Sequence, residues 1–417
     1  MKILFVHQNM PGQYRELVQW LAAQGGHELV FLTQRSPAPR IPGVRTVVYK
    51  PHHKPAKGAY GLSKTWEEAA GAGFGAAMAA RDLEREAGFR PDIVLGHTGW
   101  GELLFFKQIW PDVPLLGFFE YFYISEGGLV GFDPDDKPSE HSPFLLEARN
   151  AVPYANIQHV DLGHVPTRWQ RDVFPASFHD KFYTCHDGIR TDLLHPDPQV
   201  QLGLGRLDRP LTRNDEVFTY LARNLEHARG FHIFMRALPK ILRARPRARV
   251  LILGGNEVSY GRKSRHEGGL RAEMEAEVGQ DLDWERVHFL GRVPYDKFRQ
   301  IVQLSRCHIY LTMPFVLSWS LLEAMSMQAT VVASDVAPVR EAVSHGETGL
   351  LVDFFDHGAL ADQVIDVLAN PEAHAHLGPA ARAHVVEKYD FLTRCLPEHL
   401  RQINALVPHP CRISLPE

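Results

Sequence analysis

Short runs of β-branched and aromatic residues alternate with helical-period segments along nearly the whole chain. A short apolar run bounded by turn residues fits a strand buried on both faces, and the 3.6-residue periodicity between runs fits helices that cover those faces. The pattern predicts strands at 2–6, 28–32, 45–49, 92–95, 114–119 and 181–184 in the first half. In the second half it predicts 217–221, 249–253, 287–290, 308–311, 330–333 and 350–352. Helices are expected in the gaps, notably 13–24 and 66–87. The fold class is therefore α/β, with two similar, doubly wound, Rossmann-like parallel sheets.

Between the two sets of strands, Leu194-His195-Pro196-Asp197-Pro198 opens a stretch of weak periodicity and several breakers that ends at Arg213-Asn214-Asp215, and a linker is expected there. The domains are read as 1–195 and 214–390, followed by a helical segment at 391–417 expected to cross back to the first domain. Two open α/β domains are expected to face each other across a cleft at the carboxyl ends of their strands, where such folds bind ligands. No repeat of 20 to 50 residues is visible.

Composition narrows the function by exclusion. With 45 Lys plus Arg against 49 Asp plus Glu among 417 residues, the net charge is −4, and no nucleic-acid partner is expected. Cys185, Cys307, Cys395 and Cys411 are far apart in sequence and form neither a disulfide framework nor a Cys-x-x-Cys pair, which fits a reducing compartment. The apolar stretch at 3–6 is too short for a signal segment, and no run of about 18 apolar residues occurs. A cytoplasmic protein is expected. The basic run Arg236, Lys240, Arg243, Arg245, Arg247 and Arg249 reads as an exposed helix face, with peripheral contact at the inner membrane face left open.

Candidate chemistry concentrates at strand-to-helix junctions. Pro314-Phe315-Val316-Leu317-Ser318-Trp319-Ser320-Leu321-Leu322-Glu323-Ala324-Met325 lies between a strand and a helix-forming segment. Hydroxyls at Ser318 and Ser320 would open that helix, whose first N–H groups suit a phosphate. Taken alone, the segment reads equally as a capped helix with Leu321, Leu322 and Met325 in the core. Ala222-Arg223-Asn224-Leu225-Glu226-His227-Ala228-Arg229-Gly230-Phe231 follows the first strand of the second half. Its arginines suit a diphosphate, or else a solvated turn. In the first half, Gln8-Asn9-Met10-Pro11-Gly12-Gln13 ends the first strand, and Gly12 is the residue expected to let a ligand approach; a plain turn fits as well. Two features are set aside. Gly71-Ala72-Gly73-Phe74-Gly75 has no strand before it, and Asp133-Pro134-Asp135-Asp136 reads as a solvated acidic turn.

On these motifs the chain resembles the retaining glycosyltransferases of family 4, which have the GT-B fold, and the resemblance runs over almost the whole length. The family marks its donor site with a glutamate, seven residues and a second glutamate followed by Ala-Met. Glu323-Ala324-Met325 matches the second half, so the resemblance assigns Glu323 to the donor ribose, while Phe315 stands at the position of the first glutamate. Ser318 replaces the usual glycine near the diphosphate, and Trp319, Ser320 and Leu321 share that segment. Arg223 and Arg229 match the family's Gly-Arg-Leu loop ending in Lys-Gly, with Arg229 for the lysine and one extra residue. Two cations there would neutralise the departing nucleoside diphosphate. Gly291, Arg292 and Val293 lie in a loop that resembles the base-reading one, His186-Asp187-Gly188-Ile189 resembles the turn before the interdomain linker, and Gly346-Glu347-Thr348-Gly349-Leu350-Leu351-Val352 matches a late loop and strand. His97 stands at a histidine common in the family, and Glu120 stands where relatives carry a histidine near the donor sugar. A carboxylate there would take the acceptor proton or bind acceptor hydroxyls; a structural ion pair is the alternative.

The resemblance implies transfer of a sugar from a nucleotide-diphosphate sugar to an acceptor hydroxyl, with retention and without a metal or other cofactor. A nucleotide-sugar-binding protein without turnover, and a nucleotide-sugar isomerase or hydrolase, are the alternatives. Donor sugar, base, acceptor and oligomeric state are not specified by the sequence.

Overall fold

The computed structural model describes residues 1–135, 138–205, 207–264 and 266–414. Asp136 of the acidic turn and 415–417 of the C-terminal segment lie outside the described residues. The chain forms two units: Met1–Ser125, Pro138–Gly188 and Phe391–Glu417 make the first, and Glu126–Lys137 with Ile189–Asp390 the second.

The first unit is built on β1 (Lys2–Val6), β2 (Glu28–Thr33), β3 (Val44–Val48), β4 (Ile93–His97), β5 (Leu115–Phe118), β6 (Leu162–Val165) and β7 (Phe182–Thr184), in the order β3-β2-β1-β4-β5-β6-β7. All of its pairings are parallel. Side chains alternate across a strand, so Ile3 and Phe5 enter one apolar layer while Leu4 and Val6 enter the other. Both layers are dry, which is why these strands read as unbroken apolar runs. Phe391, Leu396, Leu400 and Ile403 pack in the layer of Ile3 and Phe5, which places the C-terminal segment in this unit.

The second unit begins with a small antiparallel pair, β8 (Gln201–Leu202) and β9 (Leu211–Thr212). Its main sheet contains β10 (Val217–Asn224), β11 (Arg249–Gly255), β12 (Val287–Gly291), β13 (Cys307–Tyr310), β14 (Thr330–Ser334) and β15 (Leu350–Val352), ordered β12-β11-β10-β13-β14-β15. Val250 and Ile252 fill one layer, Leu251 and Leu253 the other. Each main sheet reverses its strand order beside its first strand, between β1 and β4 and between β10 and β13. Loops leaving those adjacent strand ends in opposite directions open a crevice there.

Four sequence expectations change. The short strand β6 was not anticipated, because Leu162-Gly163-His164-Val165 lacks a β-branched run. Gly163 is needed there: a Cβ would lie 2.3 Å from the Phe182 ring. The stretch expected as a linker is folded into the second unit, with Leu194, Val200, Leu202 and Leu211 buried in its core. Glu126–Lys137, read as part of the first domain, also belongs to the second unit, where the Phe132 ring stacks on Phe355 at 5.2 Å. His97 is the last residue of β4 and is buried, rather than lying in the loop beyond it.

The glycine triplet sits inside helix Gly61–Ala87. A Cβ on Gly71, Gly73 or Gly75 would come within 2.3, 2.4 or 2.3 Å of the carbonyl oxygens of His53, Gly101 and Lys50. The triplet therefore lets the helix lie directly on strand-end backbone. The basic run is largely neutralised within the second unit: Arg236 pairs with Glu277, Lys240 with Asp362, and Arg245 and Arg247 with Glu216. No helix among the described residues is long and apolar enough to cross a membrane.

Candidate active site

In the first unit the strand reversal gathers two imidazoles and two carboxyls. His7 follows β1; its Nδ1 accepts the Asn9 N–H at 2.9 Å, which leaves the proton on Nε2 to be donated to Gln13 Oε1 at 2.7 Å. The Gln13 amide, so oriented, donates through Nε2 to Glu120 Oε1 at 3.3 Å. His97 repeats the arrangement from β4. Its Nδ1 accepts the Gly99 N–H at 3.0 Å, and its Nε2 faces Glu120 Oε2 at 3.4 Å. Glu120 Oε1 thus receives the Gln13 amide, His97 Nε2 stands beside Oε2 without a hydrogen bond among the described residues, and the Gln170 side chain holds the Glu120 carbonyl at 2.6 Å. The Glu120 side chain is 24% exposed, enough to meet a substrate.

Desolvation governs the groups beneath. Burial, followed by the neighbouring His97, lowers the His7 pKa to about 3, so this ring is neutral and acts as a fixed donor. Glu102 is fully buried and its pKa rises to about 7, because desolvation outweighs His97, two backbone amides and the Tyr49 hydroxyl. Its Oε2 has no hydrogen-bond partner among the described residues.

Gly12 has φ +53°, and a Cβ there would sit 2.4 Å from His7 Nε2. The glycine lets the chain pass over the imidazole. The polar contact expected of this loop is made by Gln13. Beyond β3, His52, His53, Trp66, Glu67, Phe74 and Phe105 line a pocket of about 530 Å3.

In the second unit the reversal gathers cations and hydroxyls. Arg223 is exposed near the end of β10, and Arg229 is buried in the turn that follows. Glu226 feels both charges; burial pushes its carboxyl up, against the N–H groups of Ser259 and Tyr260 that hold it ionised. Arg229 Nη1 donates to Thr312 Oγ1 at 2.8 Å, and its charge acts on the Tyr310 hydroxyl against the burial that pushes that group's pKa up. That hydroxyl accepts the Ser318 N–H at 2.9 Å. Arg229 Nη1 also reaches the Val316 carbonyl at 3.4 Å, two residues before the Ser318 N-cap of helix Trp319–Ser326.

The helix start is less open than the sequence implied. Ser320 N–H is capped by Ser318 Oγ at 3.4 Å, a long bond, and Leu321 N–H by Ser318 O at 3.2 Å. Leu321 is a correction: its side chain is wholly buried in the core and its amide is used within the turn, so it has no group to offer a ligand. Trp319 is half-buried against the same core, and Glu323, also buried, accepts a hydrogen bond from the Tyr295 hydroxyl at 2.7 Å. Phe315 packs on Tyr260 at 4.5 Å, and Tyr260 in turn lies under the Arg229 guanidinium. The aromatic residue in the glutamate's place therefore supports the cation.

Gly291 ends β12 with φ +65° and open space about it, and Val293 packs against the core. Arg292 is tied by Asn224 and Glu257, a cluster accommodated by Gly255, whose Cβ would lie 2.4 Å from Glu257 Oε2. Asp133 of the acidic turn pairs with Arg262 at 3.6 Å.

Family models match both halves of the chain: the glycosyl transferase family 4 group over residues 25–194 and glycosyl transferases group 1 over residues 208–384. The chain belongs to the group 1 glycosyltransferases of family 4. A phosphatidyl-myo-inositol mannosyltransferase of Mycobacterium leprae is 26% identical to it over 239 residues, 56% of each chain. An N-acetyl-alpha-D-glucosaminyl L-malate synthase of Bacillus anthracis is 31% identical over 105 residues, 25% of this glycosyltransferase and 27% of that protein. The chain thus spans only about a quarter to just over half the length of these relatives. Among solved structures, a sucrose-phosphate synthase from Thermosynechococcus elongatus superposes with a TM-score of 0.72 at 17% identity, covering 97% of this chain and 99% of that one. Anabaena HepE, in complex with UDP and glucose, gives 0.68 at 15% identity, covering 97% and 99%. These likenesses establish the GT-B fold, with two Rossmann-like domains.

Sequence reasoning passed over His7, Gln13 and Glu102 in one unit of this glycosyltransferase and Tyr310, Thr312 and Tyr260 in the other. Gln13 had a usable signal: it follows Gly12 at the end of a strand-to-helix loop, where side chains project from the sheet edge. The others become neighbours only through strand order.

Proposed function

We propose that this protein transfers a glycosyl group from a nucleoside-diphosphate sugar to an acceptor, with retained anomeric configuration, and that side-chain cations rather than a metal neutralise the leaving group. The supporting observation is the buried Arg229, held by Thr312 Oγ1 and by the Val316 carbonyl just before the Ser318 N-cap, together with the exposed Arg223 near the end of β10. A diphosphate seated there exchanges the long Ser318–Ser320 bond for charge-assisted bonds of its own, which are stronger. Glu323 is assigned to the ribose, with the backbone about Gly291 assigned to the base. As the glycosidic bond breaks, Arg223 and Arg229 stabilise the charge that accumulates on the diphosphate.

The same reading gives the first unit the acceptor. Glu120, aligned by Gln13 and His97, orients the nucleophile or receives its proton, and the pocket lined by Trp66, Glu67 and Phe74 holds the acceptor body. Solved neighbours crystallised with UDP or UDP-glucose, and relatives named as mannosyltransferases, support a nucleotide-sugar donor.

A panel of UDP- and GDP-sugars tested by thermal shift identifies the donor, since stabilisation grows as ligand exceeds its Kd. NMR of the product from that donor and a panel of glycoside and polyol acceptors then reads the anomer. Transfer with retention is the expected result; nucleotide binding with no transfer to any acceptor, or an isomerised sugar in acceptor-free mixtures, contradicts the proposal.

A further inference from the structure

The proposed reaction uses none of a second titratable cluster in the first unit, at the end of β7. Cys185 follows that strand and is partly exposed; Cys395, 210 residues later, closes the turn Phe391–Cys395 and is buried. Cys185 Sγ lies 3.9 Å from the Cys395 carbonyl oxygen and 3.9 Å from His399 Nε2. Cys395 is the largest influence on the Cys185 thiol. His399, from helix Leu396–Leu406, is fixed by the Tyr183 hydroxyl at Nδ1, 3.2 Å away, and by the His186 carbonyl at Nε2, 3.1 Å away. Beyond it lies a cavity of about 20 Å3 lined by Gln13, Tyr14, His164, Tyr183, Asp187 and His399, among others. That volume admits one water-sized molecule.

We propose that Cys185 and Cys395 are a peroxide-oxidisable pair, Cys185 the attacking thiol and Cys395 the resolving one, whose disulfide pins the C-terminal segment to the end of β7. The chemistry balances with a hydroperoxide as oxidant. Cys185 sulfur attacks one peroxide oxygen, the O–O bond breaks, and the other oxygen leaves as water after taking the thiol proton. The resulting sulfenic acid is attacked by Cys395 sulfur, the S–S bond forms, and a second water leaves. Two thiols lose two electrons in all, and one peroxide gains them.

Selectivity follows from surroundings. The Cys395 thiol and the His399 imidazole favour the Cys185 thiolate against the burial that opposes it, so its pKa is held below the usual thiol range. His399 is itself raised by that thiol and by Asp187, against its own burial, while His164 and His186 are lowered by burial and by His399. A neutral pair of rings thus flanks one proton-accepting ring. The remaining cysteines are disfavoured: burial pushes the Cys307 thiol up, and burial with the Asp92 carboxylate raises Cys411. Since His399 shares its cavity with Gln13, a fixed C-terminal helix also fixes one wall behind the residue that orients Glu120.

The experiment treats the full-length native protein with one to five equivalents of hydrogen peroxide, traps the remaining thiols with N-ethylmaleimide and maps peptides by mass. The expected result is loss of two thiols and one intrachain peptide joining Cys185 to Cys395, reversed by dithiothreitol. In Cys395→Ser, Cys185 should stop at a sulfenic acid captured by dimedone. In His399→Gln, the midpoint of the peroxide rate against pH should move to higher pH, the direction expected when a ring that favours the thiolate is lost. Oxidation that begins at Cys307 or Cys411, a cross-link between chains, or a wild-type Cys185 that accumulates sulfenic acid without pairing would each overturn the proposal.

Discussion

The ends of β1 and β4 and the ends of β10 and β13 occupy equivalent places in two sheets of the same strand order, yet they collect opposite chemistry. The first holds imidazoles and carboxyls: His7, His97, Glu102 and Glu120. The second holds guanidinium groups and hydroxyls: Arg223, Arg229, Tyr310, Thr312 and Ser318. Topology supplies a crevice in both cases, and the residues placed at the strand ends decide what binds. Burial also acts differently in the two. In the first it suppresses charge, holding His7 neutral and raising Glu102 to about 7. In the second it sets a permanent cation in a frame of oxygen acceptors, so the charge persists and is aimed.

The sharpest way to break this comparison is Arg229→Ala. Loss of one preorganised cation should raise the barrier by on the order of 2 to 4 kcal/mol, about 30- to 1,000-fold in kcat. Steady-state transfer assays read this directly, with a thermal melt alongside because Arg229 is buried. Glu120→Gln should lower kcat by about a hundredfold, the lower range for loss of a general base, with donor affinity unchanged. Equal losses in kcat and donor affinity would move Glu120 out of the acceptor role.

Glu102→Gln tests the charge-suppressing half through pH. The folded carboxyl holds its proton up to about pH 7, whereas the unfolded one releases it near its ordinary value of 4.5, so its contribution falls as pH rises through that window. The full effect is at most about 3 kcal/mol. His7 works in the opposite direction: its folded pKa of about 3 lies below the ordinary 6.5, so stability falls as pH drops through that range. Between about pH 4.5 and 6.5, where the two windows overlap, the two oppose each other. Melting temperature should therefore rise more steeply with pH in Glu102→Gln than in the wild type; parallel curves would contradict the assignment. The smallest effect is expected for Arg292→Ala. Its guanidinium forms an exposed pair with Glu257, worth under about 1 kcal/mol, and the backbone at Gly291 remains to read the base. A donor Kd changed more than about fivefold, roughly 1 kcal/mol, would give the Arg292 side chain a direct role.

Both main sheets were legible because their central strands, such as β1 and β11, are buried on both faces and appear as apolar runs. The short strand β6 was not, since Gly163 and His164 interrupt its pattern, and the space at Gly163 is explained only by the Phe182 ring beside it. Breakers at 194–213 suggested a linker, but burial of Val200, Leu202 and Leu211 outweighs them and folds the stretch into the second unit. At the site, Arg223, Arg229, Ser318 and Glu323 were visible because local spacing carries them. The residues that lock Arg229 and align Glu120 were not, because Thr312 is 83 positions from Arg229 and Gln13 is 107 from Glu120. Leu321, placed at the donor site by resemblance, has its side chain in the core, the reading that the helix pattern alone also offered.

The most direct test of the division of labour is calorimetry of UDP and GDP binding to wild type, Arg229→Ala and Glu120→Gln. The account predicts that Arg229→Ala weakens the better-bound nucleotide by about tenfold or more, the loss of a charge-assisted bond, while Glu120→Gln binds it as wild type does. Unchanged affinity in Arg229→Ala, or a comparable loss in Glu120→Gln, would contradict it.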